Sequence, residues 1–178
     1  MSSQTVATPH LTLDEVNAMS ESDFVSVFGF LFEHSPWIAR QAWSQRPFIS
    51  RKDVLAKLTA TLRRSPVEMQ IDLIKAHPDL AGRLAREGQL TNDSAREQAS
   101  AGLDRLEPEE KRLFEEYNQE YQARLGFPFV ICACLNDKKT ILRAFERRLK
   151  LSREAEIQTA LDEIEKIAAL RLAPLIKE

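Results

Sequence analysis

Apolar residues recur along most of this chain every three or four positions, the period of a helix that buries one face. Phe24, Phe28 and Phe32 are spaced this way, and so are Ile157, Leu161, Ile164 and Ile167, a stripe that continues into Leu170 or Arg171. Start signals divide the pattern into segments. Thr12 stands three residues before Glu15 as in a capping box; Ser22, Ser50 and Ser152 precede apolar-periodic runs, as does Asn136 or Asp137. Pro36, Pro66 and Pro108 each suit the first turn of a helix. Strict alternation is scarce, only 5 glycines occur, and no Asn-Gly or Asp-Gly pair offers a hairpin turn. The pattern predicts an all-α, single-domain bundle of about eight or nine helices over residues 12–178, after a polar, disordered tail at 1–11.

Two stretches interrupt the helical pattern. His77 precedes Pro78, whose ring disfavours the α conformation at residue 77, while Pro78 itself is suited to open a short helix, DLAGRLARE. His77 is therefore expected to cap a junction. After the turn from Gly88 to Asn92, a helix reaching Leu106 carries Ser94 and Glu97 on one face. The second interruption, Gly126 to Ile131, is too apolar for an ordinary surface turn. If Pro128 opens a helix, the N–H groups of Phe129, Val130 and Ile131 lack intrahelical partners and form a nest for a ligand oxygen. A buried connector with Phe127 and Phe129 in the core accounts for the same residues.

The 178 residues, with 25 Lys+Arg against 27 Asp+Glu, carry a formal charge of -2 and both signs interspersed. No basic footprint for nucleic acid stands out. Cys132 and Cys134, in the run FVICACL, match neither a disulfide framework nor a zinc site and read as buried reduced thiols. No apolar run approaches a membrane span, and the first residues lack the order of a signal peptide, so a soluble cytoplasmic protein is expected.

The chemistry is narrowed by what is missing. The sequence holds no phosphate-binding loop, no dinucleotide fingerprint, no His-Glu-x-x-His and no Gly-x-Ser-x-Gly. The residues three before His10, His34 and His77 are Ala7, Leu31 and Ile74, so no Glu-x-x-His pair is available for a di-iron site, and no metal is expected. His10 falls in the tail, and His34, beside Glu33 at a helix boundary, reads as a solvated end. There remains a cofactor-free acid/base site built on His77 with Glu97 as an orienting or charge-stabilising partner. A structural hydrogen-bonded pair in a non-catalytic ligand-binding or interaction module is the alternative.

Several motifs together resemble one family. His77-Pro78-Asp79-Leu80-Ala81-Gly82, the run from Ser94 through Glu97-Gln98 to Ala101-Gly102-Leu103, and Tyr121 followed by the stretch from Leu125 to Ala133 look like the OHCU decarboxylases. OHCU is 2-oxo-4-hydroxy-4-carboxy-5-ureidoimidazoline, two steps beyond urate. Phe32-Glu33-His34-Ser35-Pro36-Trp37 and the residues 167–172 extend the likeness over nearly the whole chain, with Leu125 where many members have Phe. The resemblance implies cofactor-independent decarboxylation of OHCU to (S)-allantoin by a homodimer. It also implies that His77 is catalytic and Glu97 its partner; that Pro78, Ser94 and Gln98 line the substrate site; that backbone groups at Phe129, Val130 and Ile131 contact the ligand; and that Arg171 binds substrate oxygens.

Overall fold

Local capping chemistry sets most of the helix boundaries. The computed structural model describes residues 10–82, 85 and 87–177, and among them the chain forms nine α-helices, two short 3-10 turns and no strand beyond a single parallel bridge between Leu11 and Ile176. The helices are α1 (Leu13–Ala18), α2 (Glu21–Phe28), α3 (Trp37–Trp43), α4 (Arg51–Arg64), α5 (Val67–Ala76), α6 (Asn92–Ser100), α7 (Pro108–Leu125), α8 (Lys138–Arg148) and α9 (Arg153–Leu172). None of the described helices is long and apolar enough to cross a membrane.

The chain divides into two compact units, residues 1–65 with 168–178, and residues 66–167. In the first, the Thr12 hydroxyl accepts from the Glu15 N–H while the Glu15 carboxylate accepts from the Thr12 N–H, the reciprocal box that starts α1. Phe24, Phe28 and Phe32 are all buried, and the Phe24 ring stacks on Phe48 with centroids 5.6 Å apart. Each such side chain contributes about 1.5–3 kcal/mol through the area it withdraws from water. The α4 start is where the pattern put it, with the Ser50 hydroxyl accepting from the Asp53 N–H. Leu11 at the predicted tail's edge is tied down: its N–H donates to the Leu175 carbonyl and its carbonyl accepts from the Lys177 N–H, both at 2.8 Å. The preceding tail residues, 1–9, lie outside the described residues.

In the second unit, α7 and α8 bury Phe114, Tyr121 and Phe145, with the Phe129 ring stacked 3.8 Å from that of Phe145. The helix α9 begins in this unit and ends in the first. Its stripe passes through Ile157, Leu161, Ile164 and Ile167 to Arg171, which is buried, and not to Leu170, which is 42% exposed.

Several boundaries differ from the expectation. Ser20, not Ser22, caps α2, because it is the Ser20 hydroxyl that accepts from the Asp23 N–H. Residues 78–82 are non-helical, with a turn at Leu80 and Ala81, so no helix begins directly at Pro78; further along the DLAGRLARE segment Ala85 is helical, and residues 83, 84 and 86 lie outside the described residues. The helix carrying Ser94 ends at Ser100 instead of Leu106, since Gly102 takes a positive φ of 78° that breaks the helical course. The last helix stops at Leu172. Cys132 is buried, but Cys134 is exposed.

Candidate active site

The second unit places most of the sequence-predicted residues. His77 ends α5 in an extended conformation, φ -75° and ψ 140°, as its proline neighbour requires. Its ring is buried, and Nδ1 lies 2.9 Å from the carbonyl oxygen of Leu73, one of the otherwise unfilled acceptors at the helix end. A carbonyl can only accept, so Nδ1 carries the proton and, in the neutral ring, the lone pair sits on Nε2. A base or proton shuttle with Nε2 as its working atom needs this tautomer.

The turn after His77 is held from α6. Ala81 has a positive φ of 52°, which costs roughly 1 kcal/mol for a residue with a Cβ. The side chain of Gln98 spans this turn: Oε1 accepts from the Ala81 N–H at 2.9 Å, and Nε2 donates to the Asp79 carbonyl at 3.3 Å. Asn118 adds a bond to the Leu80 carbonyl at 2.9 Å. These bonds hold residues 79–81 in a turn directly after Pro78, tied to side chains of α6 and α7. Gly82 completes the turn at close quarters, for a Cβ there would lie 2.5 Å from that of Asp79. Burial raises the Asp79 carboxyl above the ordinary carboxylate range, and its Oδ1 accepts from Gln122.

Ser94 is buried at the start of α6, and Glu97, one residue before Gln98, is half-buried. The 3-10 turn Ala133–Leu135 packs against α6, and the Ser100 hydroxyl lies 3.6 Å from the Cys134 sulfur. Burial, then the neighbouring Cys134 and Glu163, push the Cys132 thiol up to about 11, with Glu97 adding to the shift. So α6 meets the His77 turn through Gln98 and the Ala133–Leu135 turn through its other contacts.

The segment before that turn is non-helical from Pro128 to Cys132, so the condition under which its opening amides would form a helical nest is not met. Phe129, Val130 and Ile131 are 1%, 3% and 7% exposed, and their N–H groups find no protein acceptor among the described residues. Buried backbone donors are seldom left so, which makes these groups candidates for an acceptor from outside the protein. The aromatic rings of Phe127 and Phe129 are core, as the buried-connector reading of this stretch expects. Among the described residues no group of three or more His, Cys, Asp or Glu side chains comes together as a metal site would need.

Arg171 belongs to the first unit. It is buried against Glu33, itself 4% exposed, with Nη1 3.2 Å from the carboxylate and 3.2 Å from the Phe30 carbonyl. His34 next to it is a solvated end as expected, with 70% of its side chain exposed.

The OHCU decarboxylase family model matches residues 17–173. The chain is 42% identical over 162 residues to the mouse 2-oxo-4-hydroxy-4-carboxy-5-ureidoimidazoline decarboxylase, covering 91% of each protein. It belongs to the OHCU decarboxylase family. Two solved structures share the fold: an (S)-allantoin synthase, at a TM-score of 0.74 and 24% identity over 95% of this chain and 54% of that one, and an OHCU decarboxylase crystallised with (S)-allantoin, at 0.64 and 22% over 80% and 92%.

Within this family member, sequence reasoning missed a group of buried charges. Glu33 stands in the sequence at a helix boundary and within the Phe32–Trp37 motif, with no sign of its buried partner Arg171. Arg148, Glu156 and Tyr121 meet in the core of the second unit, where Arg148 Nε lies 2.5 Å and the Tyr121 hydroxyl 2.7 Å from Glu156 Oε1. Glu163 accepts from the Cys132 N–H at 2.9 Å. The one signal available was that Glu156 adjoins the apolar stripe of α9 at Ile157, a place where a charge has no solvated exit.

Proposed function

We propose that this chain decarboxylates OHCU to (S)-allantoin, releasing carbon dioxide. Membership of the family across residues 17–173 carries the reading; the buried amides of Phe129 to Ile131 and the fixed tautomer of His77 supply the chemistry it needs. In the reaction the C–C bond to the carboxylate breaks, its electron pair moves into the substrate's adjacent C=N bond, and a proton arrives at one face of the resulting ene intermediate. The substrate is thus its own electron sink. The protein has to orient it, stabilise the charge and deliver the proton with one handedness.

In this reading His77 Nε2 transfers the proton, Glu97 balances the imidazolium charge, and Ser94 and Pro78 shape the wall beside them. Backbone amides of Phe129, Val130 and Ile131 receive substrate oxygens. Gln98 acts chiefly by holding the 79–81 turn, with its second Nε2 hydrogen left for the substrate. Arg171, kept charged beside Glu33, binds carbonyl oxygens, as the motif resemblance implies. No metal or organic cofactor takes part, so chelators should leave the rate unchanged. We also propose a homodimer, on the same resemblance.

Freshly generated OHCU decays spontaneously to racemic allantoin, so circular dichroism at the allantoin bands tests the proposal. Handed product formed in proportion to protein is expected, and a racemate at the uncatalysed rate would refute it. For Arg171 the test is Arg171→Lys, which removes the planar fork of donors; a folded variant with wild-type kcat/KM would exclude it from substrate binding.

A further inference from the structure

The buried Arg148 has no part in the chemistry described above, yet it is bonded to the segment that chemistry uses. Its Nη1 donates to the Val130 carbonyl at 2.7 Å, and its guanidinium lies over the Phe129 ring, 4.2 Å from the centroid. The bond between Val130 and Ile131 is trans, so the carbonyl of one and the N–H of the next point in opposite directions. Drawing the Val130 oxygen toward Arg148 therefore turns the Ile131 N–H away from it. We propose that Arg148 is a positioning residue that aims the Ile131 N–H at the substrate oxygen, with Glu156 and Tyr121 holding Arg148 in place. The inference rests on the reading in which these amides meet substrate.

The hold on Arg148 is tight on several sides. It is 1% exposed, Glu156 is 0% exposed, and Arg148 donates from Nε to Glu156 Oε1, with Nη2 in ion-pair contact with the same oxygen. Tyr121 donates to the same oxygen, and burial together with this bond raises its phenol well above the usual range, so it stays a donor. On the far side of Ile131, Glu163 takes the Cys132 N–H and fixes the next peptide plane. Both peptide planes around Ile131 are thus set by side chains of α8 and α9, while its own N–H has no protein acceptor among the described residues.

A buried ion pair is a poor device for stability alone, because hydrocarbon of similar volume often does as well or better. Hydrocarbon cannot donate to a carbonyl, and this difference gives the test. In Arg148→Met/Glu156→Gln no charge is orphaned and Tyr121 keeps an acceptor. Loss of one preorganised oxyanion donor typically lowers kcat by about 100-fold or more, so we expect a fall of that order in kcat, little change in KM, and less enantiomeric excess in the allantoin. The melting temperature should stay near that of the wild type. Arg148→Lys, which keeps the charge and one donor, should recover part of the kcat.

A folded double variant with kcat within about threefold of wild type would overturn the proposal, that drop being far below the loss of one donor. If the double variant does not fold, Arg148→Lys decides, and wild-type kcat and enantiomeric excess there would count against it. A crystal structure of a folded variant reads the peptide directly: a reversed or disordered Val130–Ile131 plane supports the inference whatever the substrate proves to be, and an unmoved plane overturns it. Wild-type protein inactive on OHCU would instead refute the assigned reaction.

Discussion

At the scale of single residues, the roles given to His77 and Glu97 depend on each other. If they act as a unit, His77→Ala and Glu97→Ala should each abolish enantioselective decarboxylation with helical content unchanged, and the double variant should be scarcely worse than either. Steady-state kinetics with dichroism of the product measures this; additive losses would separate the two roles. Asp79 offers a test by stability. Its carboxyl is raised by burial, so the folded state prefers the protonated form, and the stability it contributes is present below the unfolded pKa and lost as pH rises through the folded one. Asp79→Asn keeps an acceptor for Gln122 without the charge. Its urea midpoint should therefore exceed that of the wild type at neutral pH, with the gap closing near about pH 3, where both states of Asp79 are protonated.

At the scale of elements, the site depends on where helices stop. The last turn of α7 closes on Gly126, whose φ of 78° lets the chain leave at the angle that sends Phe127 and Phe129 into the core. A Cβ at Gly126 would meet nothing within 4 Å, so Gly126→Ala isolates the conformational cost from any clash. About 1 kcal/mol of destabilisation follows from forcing a non-glycine residue into this region, seen as a melting temperature lower by roughly 2–4 °C. An unchanged melt would show that the end of α7 relaxes out of the left-handed conformation. Helix starts were legible in the sequence because caps act over three residues: Thr12 with Glu15, and Ser50 with Asp53, were readable as written. The end of α6 was not, since nothing at Ser100 itself stops a helix and Gly102 was read as part of the continuing segment.

At the scale of the whole molecule, the proposed homodimer is open to direct measurement, and on that proposal sedimentation equilibrium should give twice the mass of the 20.3 kDa chain at micromolar concentration. A monomer at all concentrations would remove it. The all-α class, nearly every helix start, the phenylalanine core and the capping position of His77 were determined by the sequence alone. Their causes lie in spacing, proline sterics and side-chain caps that span four residues or fewer. Tertiary structure decided the rest. Glu33 and Arg171 pair across a separation of 138 residues, and Arg148 reaches the Val130 carbonyl from 18 residues away. Gln98 turns the chain after Pro78 into a strained loop from a separate helix. A buried polar group takes whichever partner packing brings within about 3 Å, and no local pattern encodes which partner that is.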